Sequence, residues 1–501
     1  MAQVQRTDIV IIGTGFGGIG IAIQLQKAGF NDFLLIEKQA DVGGCWRDNT
    51  YPAAACDVPS HLYSFSFEPK ADWSRKFAPQ REIYQYIVHC AKKYQLLSKI
   101  QFNTEVLSAD FDEQQGLWVI KTNQQQTILA RILISGCGQL NRPAYPRLKG
   151  MDSFKGEVFH SAQWHHDYDL TGKKVAVVGT GASAIQFVPA IAAKVQQLNL
   201  FQRSAPYVIP KPDRAYSGIE QNVYKKWPVL QQASRAAIYG QHEVRALAFT
   251  VLQAALKPFE WQFKRHLNQS VKDPILRAKL TPDYPLGCKR ILISNDYYAA
   301  LAKPHVNVVT DGIAEITTTG IKTSDGQQHS VDAIIYGTGF QATDFLAPMK
   351  ITGRDGQDLN RVWRDGAEAY LGMTVSGFPN LFLLYGPNTN LGHNSILYML
   401  ESQFGYILAA LQHMKAQQWQ FVDVKAQVQG VYNRWVQKQL NNTIWAAGCS
   451  SWYKTESGKN TNNWVGFTLL YRYKTRYFES QDYTAQVVDS CNVVKLRSVA
   501  A

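Results

Sequence analysis

Two glycine turns hold the residues of this 501-residue chain best placed to do chemistry, and each ends in a charged residue at the same distance. The first turn is Gly13-x-Gly15-x-x-Gly18 and leads to Glu37, 24 residues after Gly13. The second is Gly179-x-Gly181-x-x-Ala184 and leads to Arg203, 24 residues after Gly179. Each turn follows an apolar run, opens an amphipathic segment and is followed by a second apolar run. Strand, glycine turn, helix, strand is the pattern that binds a dinucleotide. Gly13 permits the tight turn, Gly15 lets backbone approach a pyrophosphate, and Gly18 lets helix and strand pack closely. The free N–H groups and positive dipole end of the helix then face the phosphates. The terminal residue separates the two units. A carboxylate suits a bare ribose 2′-hydroxyl, and a guanidinium suits a 2′-phosphate. The first unit is therefore expected to bind FAD (or NAD), and the second NADP(H).

The elements that must position these turns follow from composition and periodicity. Residues 42–67 carry Gly43, Gly44, Trp46, Tyr51, Pro52 and Asp57 and suit neither helix nor strand. They read as an ordered loop over a ligand, or as a packed loop in which Asp57 caps a backbone N–H. Residues 83–94 predict a helix, 101–122 antiparallel strands and 132–138 a buried strand entering glycines. Residues 205–287 have helical periodicity and read as an insertion capping the active site. Residues 334–340 and part of 370–394 repeat the buried strand, 395–414 a helix, and 449–483 read as aromatic and irregular. The expected fold is α/β, with two Rossmann-like dinucleotide-binding domains and a helical insertion. The FAD domain takes 1–145 and 346–501, the NADP domain 146–212 and 288–345, and the insertion 213–287.

Fifty-two Lys and Arg against 39 Asp and Glu give a net charge of +13, but without a basic block. That distribution reads as a solvated surface favouring polyanionic cofactors, with no nucleic-acid partner expected. The seven cysteines are scattered and form no C-x-x-C pair, so neither a disulfide framework nor a metal site is indicated. No apolar stretch reaches the ~20 residues that span a bilayer, and the first seven residues are polar. A cytoplasmic protein without an integral membrane segment is the expectation.

Two further motifs carry a resemblance. Phe154, Gly156, His160 and Trp164 match F-x-G-x-x-x-H-x-x-x-W, with His165 where Pro or Asp is usual. Gly43, Gly44, Trp46, Tyr51, Pro52 and Asp57 match a second motif, with Ala53 in place of Gly or Met. Ala55 stands where many members carry Arg. Over nearly its whole length the chain resembles the class B flavoprotein monooxygenases, and among them the Baeyer–Villiger monooxygenases.

The resemblance implies FAD and NADPH as cofactors and O2 and a small-molecule ketone as substrates. One oxygen atom would enter beside the carbonyl through a C4a-peroxyflavin, with sulfoxidation of thioethers as a side activity. Arg290 would be the catalytic arginine and Asp57 would hold it. Lys289 would join Arg203 and Ser204 on the 2′-phosphate, and Trp452 would help close the nicotinamide ribose site. Phe16, Gly44, Trp46, Tyr63 and Val106, with Thr180, Ser183, Ala184 and Gln186, would make further cofactor contacts. His160 and Trp164 would couple the domains at a hinge. Arg290 as a second phosphate ligand, and an N- or S-oxygenating flavin monooxygenase, are the competing readings. A flavin disulfide reductase is a poorer match, because the spacing of Cys45 and Cys56 does not suit a redox pair.

Overall fold

A computed structural model describes residues 4–250, 252–449 and 451–487. The central strand Val4–Ile12 pairs in parallel with Phe33–Ile36 on one side and Thr127–Ser135 on the other. Ile9, Val10, Ile11 and Ile12 are all buried, as expected of a strand covered on both faces. The sheet extends through the antiparallel strands Leu117–Thr122 and Val106–Asp112 to Lys350–Thr352, and Leu381–Leu383 also joins Thr127–Ser135. Segments far apart in the chain thus complete one sheet.

A second, five-stranded sheet is parallel throughout. Its order is Val306–Val309, Gln197–Phe201, Lys174–Val178, Ala333–Tyr336 and Glu157–His160. Between Ser217 and Leu280 the described regular elements are all helices, among them Gly218–Lys226, Pro228–Val244, Ala246–Phe249, Lys257–Ser270 and Pro274–Lys279. A reciprocal Ser217–Glu220 capping box starts the first of these. Glu243, on the second, anchors the layer. Its carboxylate accepts from Asn394 Nδ2 (2.8 Å), Thr468 Oγ1 (2.7 Å) and the Leu469 N–H (2.9 Å).

The helix Ile396–Ala416 packs against Phe16–Lys27. A Cβ on Gly20 would lie 2.5 Å from the Phe404 ring, so glycine sets this close approach. The C-terminal part is more regular than its aromatic composition suggests. Thr468–Lys474 is helical, and Tyr483–Val487 pairs antiparallel with Trp419–Val424, because Trp464, Tyr471 and Tyr483 bury their rings in the core. Among the described residues, no helix is long and apolar enough to cross a membrane.

Candidate active site

The first cradle is built from backbone. Gly13 has φ +94°, and its N–H donates to the Ile36 carbonyl (2.8 Å). A Cβ on Gly18 would lie 1.8 Å from the Gly13 oxygen, and one on Gly44 would lie 3.1 Å from Gly15 Cα. Only residues without side chains let these segments meet, which leaves a backbone-lined cradle at the start of the helix Phe16–Lys27 and fits a pyrophosphate. Glu37 is buried beside it. Its Oε2 accepts from the N–H (3.1 Å) and hydroxyl (2.6 Å) of Thr14, and its Oε1 accepts from Gln39 N–H (3.0 Å) and faces Arg47 Nη1 at 3.3 Å. A ribose hydroxyl would compete most easily with the Arg47 contact, the longest of these. Phe16 meets Tyr63 edge-on at 5.4 Å, and Trp46 Nε1 donates to the Tyr63 hydroxyl (3.1 Å). Val106 is buried at the start of its strand.

The second cradle repeats the turn. Gly179 has φ +109°, and a Cβ there would lie 2.5 Å from the Gly337 oxygen. A Cβ on Gly181 would meet the Gly337 oxygen only at 3.9 Å, and Ser183 precedes the helix Ala184–Ile191 without a side-chain capping bond, while Ala184 is buried. Thr180 Oγ1 donates to the Ser204 carbonyl (3.3 Å), and Lys289 Nζ donates to Ser204 Oγ (2.9 Å). Burial and then the neighbouring charge of Arg203 lower the Lys289 pKa. Among the described ion pairs, neither Arg203 nor Lys289 has a carboxylate partner. Two adjacent cations and a hydroxyl make a site that suits a phosphate.

Gln186 does something the sequence did not show. Its Oε1 accepts from the Tyr51 hydroxyl (3.1 Å) and the Ala55 N–H (3.2 Å), while its Nε2 donates to the Ala55 carbonyl (3.0 Å). The structure therefore places it as a bridge from the second unit to the loop over the first.

That loop also delivers Asp57 to Arg290, 233 residues away. Asp57 Oδ2 accepts from Nη2 (2.5 Å) and Nε (3.1 Å) of Arg290, and both side chains remain about 30% accessible. The charge of Asp57 raises the Arg290 pKa above its ordinary value, outweighing burial. Burial acts to raise the Asp57 pKa, but the charge and hydrogen bonds of Arg290, with help from Lys211, leave it lowered. Both groups are therefore charged at any working pH. Tyr385 and Tyr453 lie within electrostatic reach of Arg290, and Trp452 packs on Tyr453 at 4.6 Å.

One expectation fails here. Cys288 and Cys449 form a disulfide, 161 residues apart in sequence, although the scattered cysteines indicated no framework. Scattering along the chain is no barrier once folding sets the two Cα atoms 6.3 Å apart. The bridge joins the Lys289–Arg290 segment to the one carrying Trp452. Cys45 and Cys56 are free thiols.

A profile described as "Pyridine nucleotide-disulphide oxidoreductase" matches residues 10–248. A Baeyer–Villiger monooxygenase of Pseudomonas aeruginosa is 49% identical over 96% of this chain and 92% of its own length. One from Streptomyces coelicolor is 43% identical, with the same coverage of both chains. This chain belongs to the Baeyer–Villiger monooxygenase family. The solved structure titled "OTEMO complex with FAD and NADP" has a TM-score of 0.86 at 28% identity, covering 96% of this chain and 99% of its own.

The Baeyer–Villiger signature residues lie along and just beside the edge strand Glu157–His160 of the second sheet. Gly156 is needed there because a Cβ would lie 2.4 Å from the Asp332 oxygen and 2.5 Å from the Phe154 ring. His160 is fully buried. Its Nδ1 accepts from the Ala162 N–H (3.1 Å), and its ring packs near Tyr145 and Phe340. Burial lowers its pKa to about 4. Trp164 packs on Phe187 (5.4 Å), which in turn meets Tyr51 (6.0 Å). Through Phe187 the signature thus reaches the same loop that Gln186 grips. His165, the departure from the motif, stacks on Phe159 and pairs with Glu157 at 2.5 Å.

Proposed function

We propose that this chain uses NADPH and O2 to insert one oxygen atom beside a ketone carbonyl, giving an ester or lactone. The observation that carries the reading is the Arg290–Asp57 ion pair, set in a family member with two dinucleotide cradles of unlike charge. When bound, FAD supplies O2 activation and NADPH supplies the hydride.

The protein's own residues do the rest. In this reading, Gly13, Gly15, Gly18 and Gly44 cradle the FAD pyrophosphate, while Glu37, Phe16, Trp46, Tyr63 and Val106 enclose it. Gly179, Thr180, Gly181, Ser183 and Ala184 do the same for NADP(H), and Arg203, Ser204 and Lys289 hold its 2′-phosphate. Arg290 keeps a permanent positive charge where negative charge develops on oxygen, and its planar fork cannot lose its proton. Asp57 fixes that fork and balances its charge. Trp452 and Tyr453 exclude water, which would otherwise divert the oxidation. His160 and Trp164 transmit domain position and do not touch the reacting atoms. The domain division proposed is 1–145 with 346–501 for FAD, 146–212 with 288–345 for NADP, and 213–287 as the insertion.

The test is product analysis by gas chromatography on a ketone panel, with purified yellow protein, NADPH and air. Ester or lactone product supports the reading, and NADPH consumption that yields only hydrogen peroxide with every ketone overturns it. A thioether in the same reaction measures the proposed sulfoxidation. A cytoplasmic location belongs to the same proposal. Thiol alkylation in intact cells tests it, since a Cys288–Cys449 bridge persisting there would count against a reducing compartment.

A further inference from the structure

Beside the Arg290 segment lies a cluster of aromatic side chains whose polar atoms have no protein partner. His393 is 6% accessible, and both its ring nitrogens are buried without a hydrogen bond. Trp445 is 2% accessible, and its Nε1–H is likewise unpartnered. Phe249 of the helical layer packs against both, at 6.0 Å from Trp445 with near-parallel planes and at 6.4 Å from His393. Leu256 and Ile444 are buried aliphatic neighbours. The cluster is close to the ion pair. Gly287, three residues before Arg290, has Leu256, Phe249 and Ile444 within 3.5 Å of its Cβ position, and Trp445 lies 6.5 Å from Tyr453.

Leaving a buried donor unpaired costs about 1–3 kcal/mol, so two of them around one phenyl ring need a reason. The chain on either side of His393 is held in place. The adjacent Asn394 is tied to Glu243, and Gly392 lies against the Trp445 ring, 3.4 Å from its Cβ position. Burial first, then the charges of His242 and Arg245, lower the His393 pKa to about 3. The imidazole is therefore neutral at working pH and offers one N–H donor and one acceptor nitrogen.

We infer that Phe249, His393 and Trp445 form the specificity wall of the substrate site. Their faces take the apolar body of the ketone, and their free N–H groups bind a second acceptor oxygen set away from the reacting carbonyl. This inference rests on the ketone-oxidising function proposed above and narrows it to ketones that also carry an ether, ester or second carbonyl oxygen. A site built to donate to such an oxygen rejects the isostere that lacks it, because its donors are then left buried and unpaired.

Isosteric pairs test it: 4-ethoxycyclohexanone against 4-propylcyclohexanone, and 6-methoxyhexan-2-one against octan-2-one. The wild-type enzyme should favour the oxygenated member by about 10-fold or more in kcat/KM, mainly through KM. His393→Phe and Trp445→Phe should each bring the ratio towards one, and His393→Gln, which keeps a donor, should restore part of it. Titration calorimetry on the oxidised enzyme should show the same ratios in Kd without turnover. Bound flavin measured by absorbance separates lost selectivity from lost fold. A wild-type ratio near one, or a ratio that survives both substitutions, overturns the inference while leaving ketone oxidation intact. If no ketone is converted, the functional reading itself fails, and this one with it.

Discussion

The two dinucleotide units share a backbone path and differ in what closes it. In the first, Glu37 is buried and held by Thr14, Gln39 and Arg47. In the second, Arg203 is exposed beside Lys289 and Ser204, and among the described residues neither cation forms an ion pair with a carboxylate. The third position of the turn differs too. Gly18 stands where a Cβ would collide with the Gly13 oxygen, whereas its counterpart is already an alanine, Ala184. The first unit closes over its terminal acid with the protein's own donors, and the second leaves its terminal cation open to solvent. One backbone solution therefore serves two ligands, with the discrimination concentrated in the terminal residue.

Substitutions can break this contrast. The largest effect is expected from Gly18→Ala, which should abolish flavin binding, while Ala184→Gly should cost less than about 1 kcal/mol. Absorbance of the purified proteins checks this, and a fully yellow Gly18→Ala protein would refute the close-contact argument. Next comes Arg290→Ala, outside both turns, which should lower ester formation by about 10²–10³-fold while NADPH still reduces the flavin. Stopped-flow reduction beside product analysis separates the two steps, and normal ester yield would remove Arg290 from the chemistry. Arg203→Ala should raise KM for NADPH about 10–100-fold and leave that for NADH nearly unchanged, the size of one lost charge-assisted contact. Equal use of both reductants by the wild-type enzyme would erase the difference between the cradles.

The smallest effect concerns the signature histidine. His160 has a folded pKa of about 4 against an ordinary value of 6.5, so the unfolded chain takes up the proton first. Its contribution is complete above about pH 6.5 and is lost as the pH falls towards 4, amounting to about 2 kcal/mol at pH 5. Thermal melts across that window should show a shallower acid slope for His160→Gln, and parallel slopes would exclude the buried neutral imidazole.

Much of this molecule was legible before folding was considered. The φ that Gly13 and Gly179 must adopt, the burial of residues 9–12 and the charge at Glu37 and Arg203 are local properties, written in consecutive residues by sterics and polarity. With the motif residues, they led to the α/β class, both cofactors and the family. The partner of Arg290 came only through resemblance to that family, and no residue pattern pointed to the Gln186 bridge, the Cys288–Cys449 disulfide or the unpaired nitrogens of His393 and Trp445. Asp57 and Arg290 are 233 residues apart, and Gln186 and Tyr51 are 135. Contacts across such separations depend on how the two sheets and the helical layer dock, which rests on side-chain shape summed over whole surfaces. Local pattern selected the cradles, and only tertiary packing decided what stands between them.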